Sequence, residues 1–160
     1  MILGPGHQAE TGVEAEHVKS MRLLLERRYR FSASHLYWRG GWTEERNRQV
    51  FGKCSFRPGH GHNYRLYLTV TGELDTATGF LIDLGALDSL VQTHILDVID
   101  HRHLNAALPQ FEEGGAIPTT ENLVAWIALT LESVLPAGTS LRRLRLEEDE
   151  DLAAIWEVES

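Results

Sequence analysis

From Leu23 to His35 the apolar side chains fall on the odd positions, and from His60 to Val70 they fall on the even ones. The first run carries Leu23, Leu25, Tyr29, Phe31 and Ala33, with Arg27 as its one exception; the second carries Tyr64, Leu66, Leu68 and Val70. A period of two marks a β-strand with one buried face. Two such strands constrain everything else, because an amphipathic sheet must bury its apolar face under a second layer drawn from the rest of the chain. Each strand also brings histidine onto that face. His35 ends the first, and His60 and His62 open the second.

The rest of the chain supplies the second layer. Asp83 can cap a helix with apolar positions at Leu84, Leu87, Leu90, Val91, Ile95 and Val98, ended by "DHRHLN" at 100–105. Pro118 and two threonines in "PTTEN" mark a second helix start, with Leu123, Ile127, Leu131 and Leu135 on its buried face and Pro136 and Gly138 as its stop. Leu141–Leu146 and Leu152–Val158 read as two further strands joined by an acidic turn. Residues 36–59 read as a long loop, a length often tied to function. Residues 1–20 read as a mobile N-terminal extension, with Met21 as an alternative start and 21–160 as one domain. The order β-β-α-α-β-β makes an α+β domain, an antiparallel sheet with two helices on one face. Its two sheet edges need cover, which a homo-oligomer joined edge to edge provides.

Composition excludes several classes. A net charge of −8 argues against non-specific nucleic-acid partners and anionic membrane surfaces. No apolar run approaches the roughly 18 residues of a membrane span, and the N-terminus lacks the pattern of a signal peptide. The single cysteine, Cys54, permits no disulfide within the chain. A cytoplasmic protein is expected.

An inward histidine is commonly a core residue with a hydrogen-bond partner. His60 and His62, at i and i+2 on a strand, also suit neighbouring positions of a tetrahedral zinc site, with His35 as a third ligand. Three imidazoles leave one position open, the pattern of a catalytic zinc, and neutral imidazole favours Zn2+ over magnesium or calcium. Both readings stand on the residues alone. Cys54, six residues before His60, is either a small apolar residue or a thiol whose pKa a nearby cation lowers. Asp100 and His101 form either a general acid/base with its orienting carboxylate or an ordinary helix C-terminus. His103 reads as solvated.

"FSASH", "FGKC", "GHGHNY", "TGFLIDL", "DHRHLN" and "PTTEN", in this order over residues 21–159, resemble the motifs of the 6-pyruvoyl-tetrahydropterin synthase / 6-carboxytetrahydropterin synthase family. The resemblance implies the tunnelling fold (T-fold), in which subunits close into an oligomeric barrel and two rings stack into a hexamer, a dimer of trimers. It implies zinc on His35, His60 and His62. It also implies Cys54 as catalytic base with Asp100 and His101 in the acid/base set, and a pocket assembled from neighbouring subunits. The substrate would be the small molecule 7,8-dihydroneopterin triphosphate. A late carboxylate would anchor the pterin; Glu148 matches, with Glu147 as rival, because "LRLEEDED" places Asp149 where threonine is usual. Glu121 fits first-turn helix stabilisation better. Thr119 and Thr120 would contact the pterin, and Arg57, Arg142 and Arg143 are candidates for the triphosphate. Five residues separate Cys54 from His60, which resembles the pyruvoyl-forming branch rather than the carboxy-forming branch of queuosine biosynthesis. A catalytically silent zinc- and pterin-binding paralogue is the alternative from another class.

Overall fold

The alternation at 23–35 becomes β1, Leu25–His35, in a computed structural model that describes residues 23–159. The expectations for residues 1–20 and for Met21 lie outside the described residues. β1 runs antiparallel to β2, His60–Gly72, in a register that sets Phe31 opposite Tyr64, Ala33 opposite His62 and His35 opposite His60. β2 continues to β4, Thr139–Glu147, and β4 to β5, Ala153–Glu157, both antiparallel. The sheet is nonetheless mixed. A two-residue β3, Arg102–His103, lies parallel to β1 at Ala33 and Ser34, giving the order β3-β1-β2-β4-β5. Two residues within "DHRHLN" are too few for periodicity to reveal a strand. Among the described residues the rest of the outer edge of β1 is unpaired, as is that of β5.

One face of the sheet is dry. Phe31, Tyr64, Leu66, Leu68, Leu144 and Leu146 are all buried there, and Phe31 stacks on Tyr64 with ring centroids 4.8 Å apart. Truncating one of these leucines to alanine costs about 2–5 kcal/mol. Helix α4, Thr120–Val134, which follows the single-turn α3, Leu104–Ala107, covers this face with Leu123, Val124, Ile127, Ala128 and Leu131; Leu135 is only partly buried. The other cover is α2, Leu84–Val91, which runs on through a π turn at Gln92–Leu96 into a last turn at Asp97–Ile99. Asp83 caps it, accepting from the N–H groups of Gly85 and Ala86 at 2.7 and 3.1 Å. Leu87, Val91, Ile95 and Ile99 are buried at a strict spacing of four. That spacing drifts round a 3.6-residue helix, and one wider i→i+5 turn absorbs the drift. Leu84 is exposed, because it sits in the first turn ahead of the covered stretch. Arg27, the exception on the apolar face, is explained by α2: its guanidinium grips Asp88 at 2.7 and 3.0 Å, and the Tyr29 hydroxyl donates to the same carboxylate.

The long loop is a correction. Residues 36–59 contain α1, Glu44–Phe51, and a 3-10 turn, Gly52–Ser55. Thr43 caps α1 by accepting from the Arg46 N–H, two glutamates follow in the first turn, and Arg48 pairs with Glu44 one turn back. The helix is almost wholly polar and its one buried side chain is Asn47, so it offers no apolar period to detect.

Candidate metal centre and acid/base dyad

The register of β1 and β2 brings the three imidazoles together at one end of the sheet. Ring centroids are 4.8 Å apart for His35 and His60, 5.0 Å for His35 and His62, and 4.7 Å for His60 and His62. His35 is wholly buried. Burial and the neighbouring imidazoles push its pKa down to about 3, and burial followed by His62 lowers that of His60. Their free lone pairs are what a metal requires. The Nε2 atoms of His35 and His62 are buried without a hydrogen bond. An unmet buried group costs about 1–3 kcal/mol, and here two Nε2 atoms that make no hydrogen bond face one space along with a carboxylate oxygen of Glu148, 3.1 Å from His62 and 4.0 Å from His35, a donor set with a use for a cation. The other nitrogen of His35, Nδ1, meets the buried Tyr64 hydroxyl at 3.3 Å, leaving Nε2 for the pocket. The residues fit zinc.

Two more donors join the cluster. His35, Cys54 and His60 form one group of potential ligands, and His35, His62 and Glu148 form another, each with its donor atoms within 4.8 Å of one another. Cys54 Sγ lies 3.9 Å from His60 Nε2. It is placed by the segment that looked like a loop. The Tyr37 N–H donates to the Cys54 carbonyl at 2.8 Å, and buried Asn47 accepts from the Arg39 N–H while donating to the carbonyls of Arg39, Trp42 and Thr43. Sequence reasoning missed Asn47, since nothing in a polar helix marks one amide as internal. Burial, and then Glu148, push the Cys54 thiol upward, opposite to the lowering a cation would cause. Gly59 closes the approach to the trio. Its φ is +108°, and a Cβ there would lie 2.2 Å from the His35 carbonyl oxygen, so no larger residue fits.

The two candidate carboxylates separate cleanly. Glu148 is 5% exposed, accepts a hydrogen bond from the Thr120 hydroxyl, and sets Oε1 3.1 Å from His62 Nε2 and 4.0 Å from His35 Nε2. Glu147 faces the other side of the sheet, where Arg65, at 3.1 Å, and Arg145 share it. Asp149 accepts from the N–H groups of Asp151 and Leu152 and so closes the acidic turn. A threonine hydroxyl can do the same. Thr119 acts as the cap of α4, accepting from the Asn122 N–H, and Glu121 is exposed on its first turn.

Asp100 and His101 pair, but not with the trio. Asp100 Oδ1 accepts from the Ser32 N–H at 2.8 Å and lies 2.9 Å from His101 Nδ1. Burial raises the Asp100 carboxyl, yet the Ser32 N–H and the His101 ring together hold it below the usual carboxylate range. His101 takes a left-handed backbone, φ 57°, that lets its N–H reach the Ser32 carbonyl, and its side chain is 81% exposed. The dyad opens on a cavity of about 450 Å3, whose lining includes Arg30, Ser32, Asn63 and Arg65 from the solvent face of the sheet. Among the described residues no hydrogen bond or ion pair joins it to Cys54 or to the imidazoles. His103 is half-buried, and its Nε2 meets the Pro58 carbonyl at 3.1 Å. Asn105, also missed, holds the Leu36 N–H and carbonyl and the Phe111 carbonyl, extending β1 past His35 as a strand would.

Residues 24–159 match the family model described as 6-pyruvoyl tetrahydropterin synthase. The chain belongs to that family. The 6-pyruvoyl tetrahydrobiopterin synthases of Pongo abelii and Homo sapiens are 37% and 36% identical to it, each over 84% of this chain and 91% of that protein. The 6-pyruvoyl tetrahydropterin synthase of Caenorhabditis elegans superposes with a TM-score of 0.78 at 28% identity, covering 88% of this chain and 99% of its own. Membership in the 6-pyruvoyl tetrahydropterin synthase family makes the chain a lyase with the T-fold subunit. None of its described helices is long and apolar enough to cross a membrane.

Proposed function

We propose that the chain is a zinc-dependent synthase that converts 7,8-dihydroneopterin triphosphate to 6-pyruvoyl tetrahydropterin with loss of triphosphate. The observation that carries this reading is the meeting of three imidazoles, two with orphaned buried Nε2 atoms, beside the lone thiol. His35, His60 and His62 would hold the metal, which supplies Lewis acidity to the oxygens of the substrate's side chain. Cys54 Sγ takes a carbon-bound proton of that side chain. Asp100 fixes the ring of His101, and His101 carries the second proton. The pterin ring gains the electrons that the side chain gives up, so no external oxidant is needed, and the triphosphate leaves with the electrons of its C–O bond. Glu148, steadied by Thr120, is the carboxylate of the pterin pocket; Glu147 is already neutralised on the opposite face. Thr119 lies at the same helix start.

Among the described residues the dyad and the thiol do not meet, and the edge of β5 and the part of β1 beyond β3 are unpaired. Both observations support a homo-oligomer, a hexamer of two stacked rings, in which one subunit's dyad completes its neighbour's site. The single cysteine suits a reducing cytoplasm.

Incubating zinc-loaded protein with 7,8-dihydroneopterin triphosphate, with mass analysis of the products, tests the reading. A pyruvoyl side chain and free triphosphate are expected. A carboxylated pterin would move the chain to the queuosine-type reaction, and unchanged substrate would make it a silent pterin-binding paralogue.

A further inference from the structure

We propose that Arg30 and Arg65, with Asn63, form a polyphosphate cradle beside the Asp100–His101 dyad, and that it receives the substrate's triphosphate. This rests on the pterin synthase reading above.

Arg30 and Arg65 are direct partners in the β1–β2 register, on the solvent face of the sheet. Like charges set directly opposite each other disfavour the pairing. Glu147 relieves Arg65 at 3.1 Å but is shared with Arg145, and among the described residues Arg30 has no carboxylate partner. Two guanidinium groups thus share one glutamate while Arg30 is left without one, in a chain whose net charge is −8. An anion lying between the two arginines turns the repulsion into attraction, and the planar donor fork of arginine suits phosphate oxygens.

The surroundings match. The two arginines line the same cavity as Asp100 and His101, about 450 Å3 and within the range of small-molecule sites. The Ser32 hydroxyl donates to Asn63 Oδ1 at 2.7 Å, which turns the Asn63 amide nitrogen outward as a further donor. The arginines suggested by sequence are committed elsewhere. Arg57 stacks over Trp38 at 4.6 Å, and Arg143 faces Glu157 at 3.5 Å. Arg142 is not paired in this way, but its Nε is buried away from solvent and it does not line this cavity. The chemistry fixes the location too. The dyad moves protons on the side chain that carries the triphosphate, so the departing group emerges next to His101.

Inorganic triphosphate is the probe, titrated calorimetrically into the zinc-loaded oligomer at low ionic strength. Wild-type protein is expected to bind it, Arg30→Ala to bind at least tenfold more weakly, and Arg30→Lys to recover part of the loss. Arg28→Ala, on the same strand and face but outside the cavity, should bind as wild type does. Dihydroneopterin without phosphates should bind equally to wild type and Arg30→Ala, which also shows that the variant is folded. Equal triphosphate affinity in wild type and Arg30→Ala, or no binding by a wild type that turns over substrate, overturns the cradle. Arg30-dependent binding by a wild type that makes no product leaves the cradle standing and removes the synthase reading instead.

Discussion

Replacing Tyr64 with phenylalanine isolates one hydrogen bond at the metal centre. Tyr64 is 1% exposed and stacks on Phe31, and phenylalanine keeps that stacking while removing only the hydroxyl that meets His35 Nδ1 at 3.3 Å. When His35 Nε2 holds a metal, Nδ1 carries the proton and needs an acceptor. No water reaches so buried a ring, so the loss leaves one donor unmet at a cost of about 1–3 kcal/mol. At 1.4 kcal/mol per decade that is a fivefold to roughly 150-fold loss of metal affinity. The assay is a titration of metal-free protein with zinc against a chromophoric chelator, paired with nitrogen-15 NMR of the His35 tautomer. Tyr64→Phe should weaken zinc binding within that range and shift the tautomer ratio. Zinc affinity within threefold of wild type with an unchanged tautomer would refute the orienting role.

Other expectations test the remaining parts. Asn105→Ala loses three hydrogen bonds to backbone groups and should cost roughly 1.5–4.5 kcal/mol in urea unfolding, taking each bond at about 0.5–1.5 kcal/mol. Cys54→Ala should keep its zinc, measured by elemental analysis, and lose turnover; native turnover would remove the thiol from the chemistry. The folded pKa of His35, about 3, lies below its ordinary value of 6.5. As pH falls through 6.5 the unfolded chain binds a proton that the folded chain refuses, so metal-free protein loses stability until pH reaches about 3. Between pH 7 and pH 5 the loss is roughly 2 kcal/mol, and His35→Gln, compared by urea unfolding at both values, should lack it.

What the sequence revealed and what it hid divide along physical lines. Strict alternation located β1 and β2 within two residues, because each has one dry face and one wet one. The same alternation carried His35, His60 and His62 onto that face, whereas Glu148 stood against Glu147 until the fold separated them. The polar helix α1, the internal amide of Asn47 and the bridging amide of Asn105 escaped, because their roles are hydrogen bonds to backbone atoms, which leave no period in the chain. β3 escaped because two residues carry no pattern. The opposed Arg30 and Arg65 became visible only through the β1–β2 register, since thirty-five positions separate them in sequence.

The dyad sits at the sheet's outer edge while the thiol lies with the imidazoles, so in the assembly proposed above each chain would offer two half-sites rather than one whole one. Two chains expected to be inactive alone, one lacking Cys54 and one lacking His101, would then hold complementary intact halves. Co-refolded in equal amounts, random assembly would unite those halves at about a quarter of the junctions between subunits. Activity would then arise from a mixture of dead proteins, and two defective alleles in one cell would rescue each other.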